Sequence, residues 1–137
     1  MLTIRLDSSV PLVDQIERGI RRAIADGTLV PGAELPPVRQ LGADLGIHWN
    51  TVARAYRALE ACGLVRTERG RGTRVVADRE QSPESPVACR ERLSDGLSAA
   101  LADARLAGLT RRDVERLVSG AIAALWGSRR TVRPSGA

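Results

Sequence analysis

Apolar residues recur at helical spacing in three short stretches of the N-terminal half of the chain. The first stretch covers residues 11–26, where Pro11 suits a first helical position and Gly27 a C-terminal stop. Proline and glycine pairs in residues 29–37 indicate turns, and a short second helix then ends at Gly46. The third helix closes near residues 62–63. It places four apolar residues at positions i, i+3, i+4 and i+7, namely Val52, Ala55, Tyr56 and Leu59.

The spacing of apolar residues changes from about 3.6 to about 2 after Gly63. The run LVRTERGRGTRVV predicts two short strands joined by a turn at residues 70–72. Residues 78–85 are polar and contain proline, so we expect them to form a linker.

Two further amphipathic helices follow this linker. Ser85 suits an N-cap and Pro86 a first helical position, and Gly108 ends the first of the two helices. Thr110 and Asp113 resemble a capping box at the start of the second helix, with Asp in place of the preferred Glu. The apolar positions are Leu93, Leu97, Leu101 and Ala104 in the first helix, and Val114, Leu117, Val118, Ala121, Ile122, Leu125 and Trp126 in the second.

These elements predict a fold that is mostly α with a small β-hairpin. Three short helices followed by a hairpin form the element order of a winged helix-turn-helix. We therefore expect a winged helix-turn-helix domain at residues 9–77 and a helical dimerisation region at residues 86–127. Residues 128–137 contain three arginines and no acid, and we expect a flexible basic tail there.

The composition of the chain favours an acidic polymer as its partner. All 21 basic residues are arginine, and the formal net charge is +5. Guanidinium groups suit phosphate oxygens and guanine edges, although a genome rich in G+C explains the same bias equally well. Two cysteines without C-x-x-C spacing, and no signal peptide or membrane segment, predict a cytoplasmic location and no membrane partner. A single histidine and no phosphate-binding loop argue against an enzyme, a metal site and a cofactor.

The third helix carries the candidate chemistry. Opposite its apolar stripe, Asn50 and Arg54 lie one turn apart, and they suit the edges of adenine and guanine respectively. A polar face of this kind is also what a merely solvated helix presents. Residues 48–76 contain six arginines against two glutamates, however, and the predicted hairpin supplies four of those arginines, Arg66, Arg69, Arg71 and Arg74. The candidate DNA-contacting residues of the helix are His48, Trp49, Asn50, Thr51, Arg54 and Arg57.

The run from LVPGAELPPVRQLG to RTERGRGTRV strongly resembles the DNA-binding domain of GntR-type regulators, over about residues 9–76. The resemblance implies that Arg39 contacts a phosphate, that Asn50 and Thr51 are polar positions at the start of the recognition helix, and that Arg69 and Gly70 form a wing tip in the minor groove. The chain departs from the family at Trp49 and Ala53, where many members carry Arg. Trp49 has three interpretations: stacking on a sugar, packing against a thymine methyl group, or covering the edge of the core. A structural or phosphate-adjacent role is expected for His48.

The short helical tail resembles the YtrA branch of that family, which implies dimerisation through the tail and control of transporter genes. Two amphipathic helices alone bury too little surface to be stable, so we expect pairing with a second copy. The alternative is that the helices fold back onto the first helix of the same chain. The expected dimerisation residues are Leu93, Leu97, Leu101, Val114, Leu117, Val118, Ile122, Leu125 and Trp126.

The leading hypothesis is a homodimeric repressor that binds double-stranded DNA at an inverted repeat. A dimer with two-fold symmetry places half-sites about 34 to 36 Å apart, or a multiple of that distance. The alternative hypothesis is a protein-interaction adaptor that keeps the winged fold but has lost base recognition, and Trp49 and Ala53 motivate it. A small effector, if one exists, would have to bind between protomers.

Overall fold

The computed structural model describes residues 2–76 and 84–127. The chain divides into two compact units, Met1–Pro83 and Glu84–Ala137. The predicted tail and residues 78–83 of the predicted linker lie outside the described residues.

The first unit contains the three predicted helices, α1 (Leu12–Ala25), α2 (Val38–Leu45) and α3 (Trp49–Ala61). The prediction for Pro11 was wrong by one position, because this residue is the N-cap of α1 and not its first helical residue. Its ψ of 145° is extended, while its carbonyl accepts the N–H of Gln15 at 3.0 Å. Gly46 ends α2 in the left-handed region, with φ +71°, as a C-terminal glycine commonly does.

The hairpin follows α3 and consists of β1 (Val65–Glu68) and β2 (Gly72–Val75). The strands are antiparallel, and Val65 pairs with Val75 and Glu68 with Gly72. The connecting turn is therefore residues 69–71, one residue earlier than predicted, because Gly72 already belongs to the ladder. The segment before α2 adds a third line of backbone pairing, since Leu35 donates to the carbonyl of Thr73 at 2.8 Å and Val75 donates to that of Ala33 at 2.9 Å.

One apolar core joins these elements. The predicted stripe of α3 faces inward, because Val52, Ala55 and Leu59 have no exposed surface and Tyr56 retains only 4%. The Tyr56 hydroxyl donates to the carbonyl of Pro36 at 2.6 Å, and burial raises the pKa of Tyr56 to about 12. This hydrogen bond links α3 to the residues that immediately precede α2. The remaining core residues are Ile16, Ile20, Ile24, Leu35, Leu41, Val65 and Val75.

The second unit contains α4 (Pro86–Leu106) and α5 (Arg111–Trp126). Ser85 caps α4 by accepting the N–H of Ala88, and Pro86 occupies the first turn, as predicted. The predicted capping box of α5 is also present: Asp113 accepts the Thr110 N–H at 2.9 Å, and the Thr110 hydroxyl accepts the Asp113 N–H at 3.2 Å. The backbone N–H of Thr110, followed by its hydroxyl, holds the pKa of Asp113 below its usual value. Among the described helices, none is long and apolar enough to cross a membrane.

Candidate nucleic-acid interface

The turn between α2 and α3 sets the position of α3. Ile47 donates to the carbonyl of Gly42 at 2.9 Å, which closes the turn over the end of α2. A Cβ atom on Gly42 would lie 3.0 Å from the carbonyl oxygen of Ile47 and 3.0 Å from the Cα of Trp49. Only glycine permits this close approach without a shift of backbone. Gly42 was not singled out from the sequence, although a glycine inside a short helix lowers helix stability by about 1 kcal/mol and therefore suggests a packing reason.

The N-terminal end of α3 is capped by the only histidine of the chain. His48 Nδ1 accepts the backbone N–H of Asn50 at 3.0 Å, which satisfies one of the free N–H groups of the first turn. The cap is a structural contact, and the phosphate-adjacent role that was the other expectation for His48 stays a prediction. Behind this cap, Asn50 and Arg54 lie one helical turn apart, and both are exposed.

The side of α3 opposite the core is open within the described structure. Asn50, Arg54 and Arg57 are exposed, and Thr51 is half-buried. α3 therefore presents an amide and two guanidinium groups on its exposed side, while its other side is packed in the core. The major groove of DNA, about 12 Å wide, is of a size that admits an α-helix.

Trp49 and Arg39 lie together at the start of this surface. The Arg39 Cζ atom is 4.8 Å from the centroid of the Trp49 ring, and the His48 ring is stacked on Trp49 at 5.5 Å. Trp49 is 38% exposed, so its ring is neither fully covered nor free. The first residue of α3 thus touches a basic side chain of α2.

The hairpin places two of its four arginines at its tip, while Arg66 and Arg74 pair with each other across the strands. Arg69, Gly70 and Arg71 form the turn and are exposed, and Gly70 adopts a φ of +79°. The Arg71 backbone N–H donates to the carbonyl of Glu68 at 3.0 Å, which closes the turn. The Arg71 guanidinium lies 4.0 Å from the Glu68 carboxylate, and at 75% exposure this ion pair contributes little. Both tip arginines are therefore accessible to an anionic partner.

Arg74 differs from the other arginines of the hairpin. Its guanidinium donates to the carbonyl of Gly32 at 3.2 Å and lies 3.7 Å from the Glu34 carboxylate. It therefore joins β2 to the segment before α2 and supports the base of the wing. The sequence pattern counts Arg74 only as one of four hairpin arginines on or beside the turn, because the pairing of residues 32–35 with β2 is not local along the chain.

The apolar stripes of α4 and α5 are exposed in the second unit. No described residue of either helix is buried. Of the nine expected dimerisation residues, only Val114 and Leu125 are half-buried. Leu106, at 87% exposure, is a large apolar residue that the sequence analysis did not single out. The exposed members of the expected set are Leu93, Leu97, Leu101, Leu117, Val118, Ile122 and Trp126.

Comparison with known proteins agrees with this arrangement. Residues 12–75 match the family model described as bacterial regulatory proteins, gntR family. The chain is 34% identical over 118 residues to the HTH-type transcriptional regulator Rv1152 of Mycobacterium tuberculosis, which covers 86% of this chain and 91% of that protein. It is 40% identical over 73 residues to the HTH-type transcriptional repressor YtrA of Bacillus subtilis, covering 53% of this chain and 56% of that protein.

A solved structure extends the likeness over both units. The crystal structure of a transcriptional antiterminator from Listeria monocytogenes superposes with a TM-score of 0.77 at 25% identity. The superposition covers 93% of this chain and 94% of that one. The predicted fold class, a winged helix-turn-helix followed by two helices, is confirmed.

Proposed function

Because the chain belongs to the GntR family of bacterial regulatory proteins and is similar to its YtrA branch, we propose that it acts as a homodimeric repressor that binds an inverted-repeat operator. The chain is a DNA-binding transcription regulator of helix-turn-helix type. The dimer, the direction of regulation, the base contacts and a cytoplasmic location are parts of the proposal.

One observation carries the proposal of DNA recognition: a packed helix exposes Asn50, Arg54 and Arg57 together beside an arginine-tipped hairpin. Arg54 suits guanine O6 and N7, and Asn50 suits adenine N6 and N7. Arg69 and Arg71 suit the phosphates or the minor groove beside the helix. Asn50 and Arg54 lie on a helix whose opposite side is buried, and Arg69 and Arg71 lie in the turn that joins the two paired strands.

The exposed stripes of α4 and α5 support the homodimer. Leu97 and Leu101 retain 44% and 43% of their surface, and Trp126 retains 77%. An exposed apolar stripe that runs along two helices is unfavourable in water. Contact with the same stripe of a second copy would remove apolar surface from water, with a favourable free energy of about 25 cal/mol per Å² buried. A two-fold dimer then carries two equivalent recognition helices, so its preferred site is an inverted repeat.

Repression is proposed from the relative in Bacillus subtilis, whose name describes it as a transcriptional repressor. A dimer seated on an operator that overlaps a promoter blocks polymerase without any catalytic step. Control of a transporter operon is the corresponding proposal for the target, on the ground of the resemblance to the YtrA branch.

The test is selection of bound sequences from a random duplex pool at a stated salt concentration. We expect an inverted repeat with half-site centres about 10 to 10.5 base pairs apart, or a multiple of that spacing. The matched control is the Asn50→Ala, Arg54→Ala double variant, which keeps the buried stripe of α3 and should enrich no repeat. No enrichment by the unmodified protein, together with a protein partner retained in a pull-down, would overturn the proposal in favour of the adaptor.

A further inference from the structure

The contact between Trp49 and Arg39 joins the first residue of the recognition helix to the second residue of α2. The distance of 4.8 Å from the Arg39 Cζ atom to the ring centroid is within the roughly 6 Å at which a cation over an aromatic face is stabilised. Within the described residues, no carboxylate lies within ion-pair distance of Arg39. In the described part of the chain, the Trp49 indole is the side chain that lies against this guanidinium.

The backbone explains why the two side chains meet. Arg39 and Gly42 are three residues apart on α2, so they lie on the same side of that helix. At Gly42 the missing side chain admits the backbone of Trp49, whose N and Cα atoms would lie 3.2 and 3.0 Å from a Cβ there. The indole then reaches one turn back along α2 to Arg39. The His48 ring stacks on the same indole at 5.5 Å and restricts it further.

We propose that Trp49 is a positioning residue that acts through Arg39. The indole orients the guanidinium at the N-terminal ends of α2 and α3, in the conformation that meets a DNA phosphate. This inference rests on the proposed function, because the phosphate is the partner that Arg39 would bind. A flexible arginine loses rotamer freedom when it binds, and a preoriented one loses less, so the contact raises affinity without a base contact by Trp49.

The test is a double-variant cycle on DNA affinity, with the selected operator and an unrelated duplex measured across a series of salt concentrations. Arg39→Ala should weaken binding to both duplexes and flatten the slope of log affinity against log salt concentration by about one unit. Trp49→Ala should lower the affinity for both duplexes by the same factor, about twofold to fivefold. Trp49→Phe keeps an aromatic face and should retain most of the affinity. In the Arg39→Ala background, Trp49→Ala should have no further effect.

The matched control for net charge is Arg116→Ala, an exposed arginine of α5 away from its apolar stripe, which should leave both affinities unchanged. An NMR measurement on the free protein gives an independent readout, since the Trp49 ring should shift the Arg39 side-chain protons upfield and Trp49→Ala should abolish that shift. Additive losses in the cycle, or a loss for the operator alone, would overturn the positioning role while leaving DNA binding intact. Failure of the unmodified protein to bind any duplex would overturn the proposed function itself, and the positioning role with it.

Discussion

Replacement of Gly42 by alanine tests whether the close approach of α2 and α3 sets the recognition helix. The added Cβ would lie 3.0 Å from the Ile47 carbonyl oxygen and 3.0 Å from the Trp49 Cα, both of which are backbone atoms. Ordinary contact begins near 3.4 Å, so the two segments must separate by a few tenths of an ångström. Overpacking of this kind costs about 1–3 kcal/mol, while alanine gains about 1 kcal/mol over glycine in a helix interior.

Gly120→Ala is the matched control, because Gly120 lies inside α5 and a Cβ there would meet nothing within 4 Å. It should stabilise its helix by about 0.8–1 kcal/mol. The difference between the two variants removes the helix-propensity contribution, and we expect Gly42→Ala to be less stable than Gly120→Ala by about 1–3 kcal/mol. Urea unfolding at one protein concentration measures both values. Equal stability changes in the two variants would refute the claim that backbone contact at Gly42 positions α3.

Four further predictions concern the wing, the core and the second unit. Arg69→Ala should weaken binding to all duplexes and flatten the salt slope by about one unit, which a salt titration measures; an unchanged slope would show that Arg69 contacts no phosphate. Tyr56→Phe leaves the Pro36 carbonyl without its hydrogen-bond donor. It should lower the free energy of unfolding, measured by urea denaturation, by about 1–3 kcal/mol. Because burial raises the pKa of Tyr56 from 10.0 to about 12, the free energy of unfolding of the unmodified protein should fall as pH rises from 10 to 12, and Tyr56→Phe should lack this fall. Leu117→Asp should halve the mass measured by sedimentation equilibrium, and a variant that remains dimeric would contradict the proposed interface.

The helices were predictable because their signals are local. Each apolar stripe has a single helical period, and each cap depends on one or two residues such as Ser85 or Thr110. The change of period after Gly63 likewise located the hairpin. The errors at Pro11 and at residues 70–72 were each one position, since end residues depend on ψ and on strand pairing, which the sequence pattern does not determine.

The contacts between distant segments were not predictable from the same pattern. Arg74 resembles the other arginines of the hairpin in the sequence, but the pairing of residues 32–35 with β2 places Glu34 beside it. The role of Gly42 depends on the backbone after the turn, which comes so close that a Cβ on Gly42 would lie 3.0 Å from the Ile47 carbonyl oxygen. Trp49 had three interpretations, and its contact with Arg39 required the relative placement of α2 and α3.

A selection repeated with Arg54→Ala tests whether the exposed side of α3 contacts base edges. The variant should enrich the same inverted repeat with the preference lost at a single base pair in each half-site, at a discrimination cost of about 1–3 kcal/mol per contact. The control is Arg116→Ala, an exposed arginine of α5, which should keep the base preference at every position when it is measured in the same pool. An unchanged preference at every position, with affinity lowered equally for all sequences, would contradict a base contact by α3.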